Sequence, residues 1–157
     1  MTHDCRRNGT TTLFAALDVL TGTVIGQCPP RHRHIEFIKF LNTIDRQVPG
    51  GLQIQLILDN YSTHKHAEVD RWLTRHKRFH LHFTPTSSSW LNQAERWFRD
   101  LTDENLRRGV FASVPEVIVS IDAYLNAHNA NPRPYVWTAT AKVQRARTKL
   151  QQVVSQN

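Results

Sequence analysis

The apolar run Leu56-Ile57-Leu58 stops on Asp59-Asn60, and that stop constrains the fold more than any other feature of the chain. Residues 53–58 read as a short buried strand. Helical periodicity follows at about 67–76. Then Phe79-His80-Leu81-His82-Phe83 alternates, with Phe79, Leu81 and Phe83 on one face of a second strand. Strand–helix–strand order implies a mixed α/β sheet covered by helices. Asp59 is then a carboxylate fixed at the end of a rigid element. A turn or capping role is the plain alternative.

The rest of the chain fits this frame. Residues 11–19 read as a strand, Leu20-Thr21-Gly22 as a turn, and residues 23–28 as the returning strand of a hairpin. Pro29-Pro30 stops it. Ile35, Phe37, Ile38, Leu41 and Ile44 form a helical stripe over about 33–47, ended by Pro49-Gly50-Gly51. Residues 84–89 form a polar loop. A long helix is expected from about 90 to 107, striped by Leu91, Ala94, Phe98 and Leu101 and stopped by Gly109. Ser113-Val114-Pro115-Glu116 is a capping box for the next helix. Asn131-Pro132-Arg133-Pro134 breaks that helix, and a basic helix spans about 138–154. The segments divide as 1–10, extended or disordered; 11–137, one α/β domain; and 138–157, the basic C-terminal helix.

Among 157 residues, 20 Lys+Arg face 13 Asp+Glu, a formal charge of +7. The excess favours polyanionic partners, nucleic acid first. Cys5 and Cys28 are too few for a disulfide framework. The first residues lack the apolar core of a signal peptide, and no run is long enough to span a membrane. The expected location is cytoplasmic.

Glu95 is the second acid of interest. It sits in Trp90-Leu91-Asn92-Gln93-Ala94-Glu95-Arg96-Trp97-Phe98, on the amphipathic helix. A metal-dependent nuclease needs such a pair, hard oxygen ligands from rigid elements brought together by the fold. A solvent-facing helix acid is the alternative. If the two share a metal pair, their carboxyl groups should lie on the order of 5–8 Å apart.

Three stretches together carry a resemblance. They are Leu58-Asp59-Asn60-Tyr61-Ser62-Thr63-His64-Lys65, the run from Phe83-Thr84-Pro85-Thr86 through Trp97-Phe98, and Tyr124-Leu125-Asn126-Ala127-His128-Asn129. From about residue 11 to about 141 the chain resembles the catalytic domain of mariner-related DDE transposases of bacterial insertion sequences. The resemblance implies a ribonuclease-H-like fold whose sheet carries the acids, with the last acid on the helix after the last strand, as Glu95 is. It implies two Mg²⁺ or Mn²⁺ ions held by three carboxylates, Asp59 and Glu95 among them. One ion would activate water or a 3′-hydroxyl, and the other would stabilise the leaving oxygen. It places Asn60 and His64 at the rim of the site. Asn92, one turn before Glu95, would orient that carboxylate, and Arg96 and Arg99 would meet DNA phosphates.

The resemblance also implies a first strand, central in the sheet, carrying the first acid. No strand pattern or matching acid precedes the hairpin here. Asp18 is the tempting substitute, but it stands at the turn end of its strand, where a turn role suffices. The expectation is therefore a sheet with a gap, and a third acid from an upstream-frame segment or another copy. The function so implied is DNA transposition, inactive in the isolated chain. The rival is a non-catalytic nucleic-acid-binding remnant that modulates transposition. His32/His34, His64/His66 and His80/His82 are i, i+2 pairs, and the last could chelate. Without HExxH or CxxC, solvated or DNA-facing imidazoles are the simpler reading.

Overall fold

The structure, a computed structural model, describes residues 11–58, 62–83 and 92–134; the side chains at 62, 63, 92, 93 and 95 lie outside that description. The expected segments 1–10 and 138–157 fall outside it, as do the loop 84–89 and Trp90.

The hairpin forms, but shorter than the pattern suggested. Strand β1 is Phe14–Leu17 and β2 is Val24–Gln27, antiparallel, with Leu17 opposite Val24 and Phe14 opposite Gln27. Asp18 leaves the strand to build the turn. Its carboxylate accepts the Leu20 N–H and the Thr21 hydroxyl, both at 2.9 Å. Gly22 adopts φ 78°, which a side chain rarely tolerates, and a Cβ there would collide with the backbone of Arg133 and Pro134.

Helix α1, His34–Gln47, buries Phe37, Phe40, Leu41 and Ile44, and leaves Ile35 largely exposed. The stripe therefore runs through Phe40 rather than Ile35. Its C-terminus is held by Arg78, whose Nε meets Asp45 at 2.8 Å while its other nitrogens bond the carbonyls of Asp45, Val48 and Pro49. A guanidinium at a helix C-terminus satisfies carbonyls that the helix itself leaves bare.

Strand β3 is Ile54–Leu58 and β4 is Phe79–Phe83, parallel, with Ile54 opposite Phe79 and Leu58 opposite Phe83. Between them lie a short 3-10 turn, Ser62–Lys65, and helix α2, Ala67–Arg75. Among the described residues the strands make two two-stranded sheets, β1-β2 and β3-β4. Phe14, α1, α2 and the inner faces of β3 and β4 share one core around Leu41 and Val69.

Helix α3 is Asn92–Leu101. The expected long helix continues only as a π-helical segment, Thr102–Leu106, in which the Arg107 N–H reaches back to the Thr102 carbonyl at 2.9 Å. Asn105 anchors this segment. Its amide donates to the Ser120 carbonyl at 2.9 Å and accepts the Ser120 hydroxyl at 2.6 Å. Helix α4, Val114–Ala130, starts with half of the expected capping box. Glu116 reaches back to the Ala112 N–H at 2.9 Å and to the Ser113 hydroxyl at 3.2 Å, while Ser113 makes no side-chain cap of its own. Val24, Trp97, Leu101, Ile121 and Leu125 form a second core on the other face of the hairpin. No helix among the described residues is long and apolar enough to cross a membrane.

Candidate active site

The topology brings the chain positions of the two acids to one end of the parallel pair. Leu58 and Phe83 are register partners at the C-terminal ends of β3 and β4. Asp59 follows Leu58 directly. Glu95 lies in the first turn of α3, the next described element after Phe83. Carboxyl ends of parallel strands are where α/β sheets gather functional groups. Asp59 and Asn60 lie outside the described residues, as do the side chains of Asn92 and Glu95, so the expected carboxyl separation has no measured counterpart.

The anchoring of α3 is clear. Trp97 is 1% exposed and Leu101 2%, both against the hairpin and α4. The buried face thus runs through Trp97, with Phe98 at its margin, one residue off the expected stripe. The Trp97 indole nitrogen has no hydrogen-bond partner among the described residues. Arg96 and Arg99 are exposed on the same helix.

His64 is placed differently from a rim residue. It is 8% exposed, its ring 4.5 Å from that of Phe37 and 6.5 Å from that of His32. Lys65 beside it lies over the Phe83 ring at 5.1 Å, tying the 3-10 turn to the carboxyl end of β4. His66 caps α2 and stacks on His34. His80 and His82 do not converge on each other. Each ring Nε2 bonds a glutamine on β3, His80 to Gln53 at 2.8 Å and His82 to Gln55 at 2.6 Å. Among the described residues no three His, Cys, Asp or Glu side chains group as metal ligands.

The stretch Tyr124 to Asn129 turns out to hold the hairpin. The Asn129 amide accepts the Val24 N–H at 2.8 Å and donates to the Val24 carbonyl at 2.7 Å. His128 Nε2 pairs with the Gly22 carbonyl at 2.8 Å. Tyr124 packs on Trp97 and bonds Glu104. Burial first, then Glu104 and Asp100, push its phenol up to about 12. Nothing local in the sequence distinguishes these contacts from site contacts. Glu36 was also illegible. It is buried at 6% exposure, and its hydrogen bonds from Arg33 hold its carboxyl down at about 2.

Comparison with known proteins decides the kinship. The family described as DDE superfamily endonuclease matches residues 2–118, about three quarters of the chain. The chain belongs to this family. Over 96 residues it is also 27% identical to a protein of Shigella sonnei named "Insertion element IS630 uncharacterized 39 kDa protein". That match covers 61% of this chain and 28% of the relative, so the chain spans under a third of the curated protein it matches. The kinship with DDE-type transposases of insertion sequences, read from the motifs, therefore holds, and the α/β fold suits a DDE endonuclease domain.

Proposed function

We propose that the chain is the catalytic-domain portion of a DDE transposase, ribonuclease-H-like in arrangement, acting on transposon ends and target DNA. The observation that carries this is the register of β3 and β4. It starts both acid-bearing segments from one end of the parallel pair in a chain of the DDE endonuclease family.

Asp59 and Glu95 are hard oxygen donors, and they suit Mg²⁺ or Mn²⁺. Bound there, two such ions would neutralise charge on a phosphodiester under attack. The protein's own part is positioning. Trp97 and Leu101 fix the helix that bears Glu95, and Asn92 sits one turn before it. Arg96 and Arg99, exposed beside it, are proposed to meet the DNA backbone, with Asn60 next to Asp59. His64, packed on Phe37, supports the loop after Asp59 from beneath. Asp18 takes no part, because its carboxylate is engaged in its own turn.

Two acids leave the site short of a third. It would come from outside the described residues, on a strand that pairs between β1 and β3, or from another copy. The isolated chain should then bind Mn²⁺ weakly and nick DNA negligibly. Mn²⁺ titration followed by water proton relaxation, beside a plasmid-nicking assay, tests this. Asp59→Ala and Glu95→Ala should abolish metal binding, and Asp18→Ala should leave it intact. Robust nicking by the wild-type chain, lost in all three variants, would overturn the assignment and make Asp18 the third acid.

A further inference from the structure

Two helix N-termini meet at a pair of imidazoles. His34 opens α1, and His66 is the N-cap of α2. Their ring centroids are 3.6 Å apart and their planes 1° from parallel. His66 has a second task, for its Nδ1 accepts the Glu68 backbone N–H at 3.2 Å. Ser, Thr, Asp and Asn usually fill that position. Histidine differs from them near neutrality, because protonation converts its acceptor nitrogen into a donor. The 3-10 turn Ser62–Lys65 lies between Asp59 and this cap, with His64 of the turn set against Phe37 of α1.

The charges around the pair set the response to acid. On the α1 side stand Arg31, His32 and Arg33, the last engaged by Glu36. From the turn come His64 and Lys65. Glu68 and Asp70 lie in the first turn of α2, and Glu68 is engaged by Arg71. A proton on either ring places a cation at the positive end of a helix dipole, which the two α2 carboxylates offset only in part. Protons on both rings set like charges face to face. Acid therefore acts on the stack and the cap together.

We propose that His34 and His66 are positioning residues for Asp59. Their stack and cap clasp the turn after β3 onto α1, and protonation opens the clasp. This rests on the reading of Asp59 as a metal ligand. Amide hydrogen exchange on the full chain tests it at about pH 7.5 and pH 5.5, across the imidazole range, after correction for intrinsic rates. Peptides covering residues 62–71 should lose roughly fivefold in protection on acidification relative to α4, the effect of losing one N-cap. His66→Asn keeps a cap at both pH values, so its protection at neutral pH should hold and its loss in acid should vanish. Mn²⁺ affinity should follow the same pattern, weakening in acid for the wild type and not for His66→Asn. Wild-type protection that ignores pH, or an equal acid loss in His66→Asn, would overturn the clasp. A chain that binds no Mn²⁺ at either pH would sink the metal reading instead, and exchange alone would then judge the clasp.

Discussion

The hairpin and the parallel pair are covered in opposite ways. The β1-β2 hairpin is packed on both faces. Phe14, Ala16 and Ile25 turn toward α1, while Ala15, Leu17 and Val24 turn toward α3 and α4. Its outer margin is closed by Asn129. The β3-β4 pair buries only one face, with Ile54, Leu56, Phe79 and Leu81 against the helices. Its other face shows Gln55, His80, His82 and an Ile57 that is 54% exposed. Parallel strands are usually covered on both faces, and antiparallel ones can leave one face to water. Here the usual roles are exchanged. The difference teaches that the hairpin half is complete as it stands. The half from which Asp59 emerges is the half that lacks cover.

The largest effect should come from removing the centre of the complete half. Trp97→Ala should cost about 3–5 kcal/mol, read by chemical denaturation. If the two cores unfold as one, the whole transition shifts. A transition that splits, with protection lost only in α3, α4 and the hairpin, would show that the halves are separate cooperative units.

Asn129→Ala comes next. It strips both polar groups of Val24 of their partner at the margin of β2 and should cost about 1–3 kcal/mol. Self-association should rise with it, because the margin becomes a bare strand edge. A variant with unchanged stability and no association by light scattering would mean that water replaces the amide without loss.

The smallest effect belongs to the α1 side and depends on pH. Glu36 has a folded value of about 2 against an ordinary 4.5. Its contribution is present in full above pH 4.5 and is lost as pH falls through the folded value toward 2. Glu36→Gln should remove that part of the acid dependence and leave the hairpin side unaltered. Denaturation midpoints compared at the two ends of this window check it, and equal acid slopes in both proteins would discount the pair. The window lies well below the imidazole range, so the Arg33–Glu36 pair and the histidine clasp can be read apart.

Sequence legibility follows the range of the forces involved. The stop at Asp59, the turn at Gly22 and the end of α1 before Pro49 are local events, decided by a few neighbouring residues, and they stood in the sequence. Periodicity also found α3 and α4. It erred by one residue on α3, choosing Phe98 over Trp97, because both are apolar and only the opposing surface selects between them. The π-helical turn at Thr102–Leu106 had no local sign. It is held by Asn105 and Ser120, on different helices. The histidines show the same limit. Their i, i+2 pairs were visible, but His34 found its partner in another pair, at His66, and His80 and His82 found glutamines. For the candidate site, the chain positions of Asp59 and Glu95 were legible from motif context. The buried setting of His64 was not, because only the fold brings Phe37 to it.

The amide of Asn129 gives the hairpin a valence. A strand has two margins, and each is a place where another backbone can attach. By ending β2 with a side chain borrowed from a helix, the molecule uses up one of these bonds permanently. β1, which has no second strand partner among the described residues, keeps the other. Any sheet built onto this hairpin therefore grows in one direction only, as a polymer does when one end has been terminated.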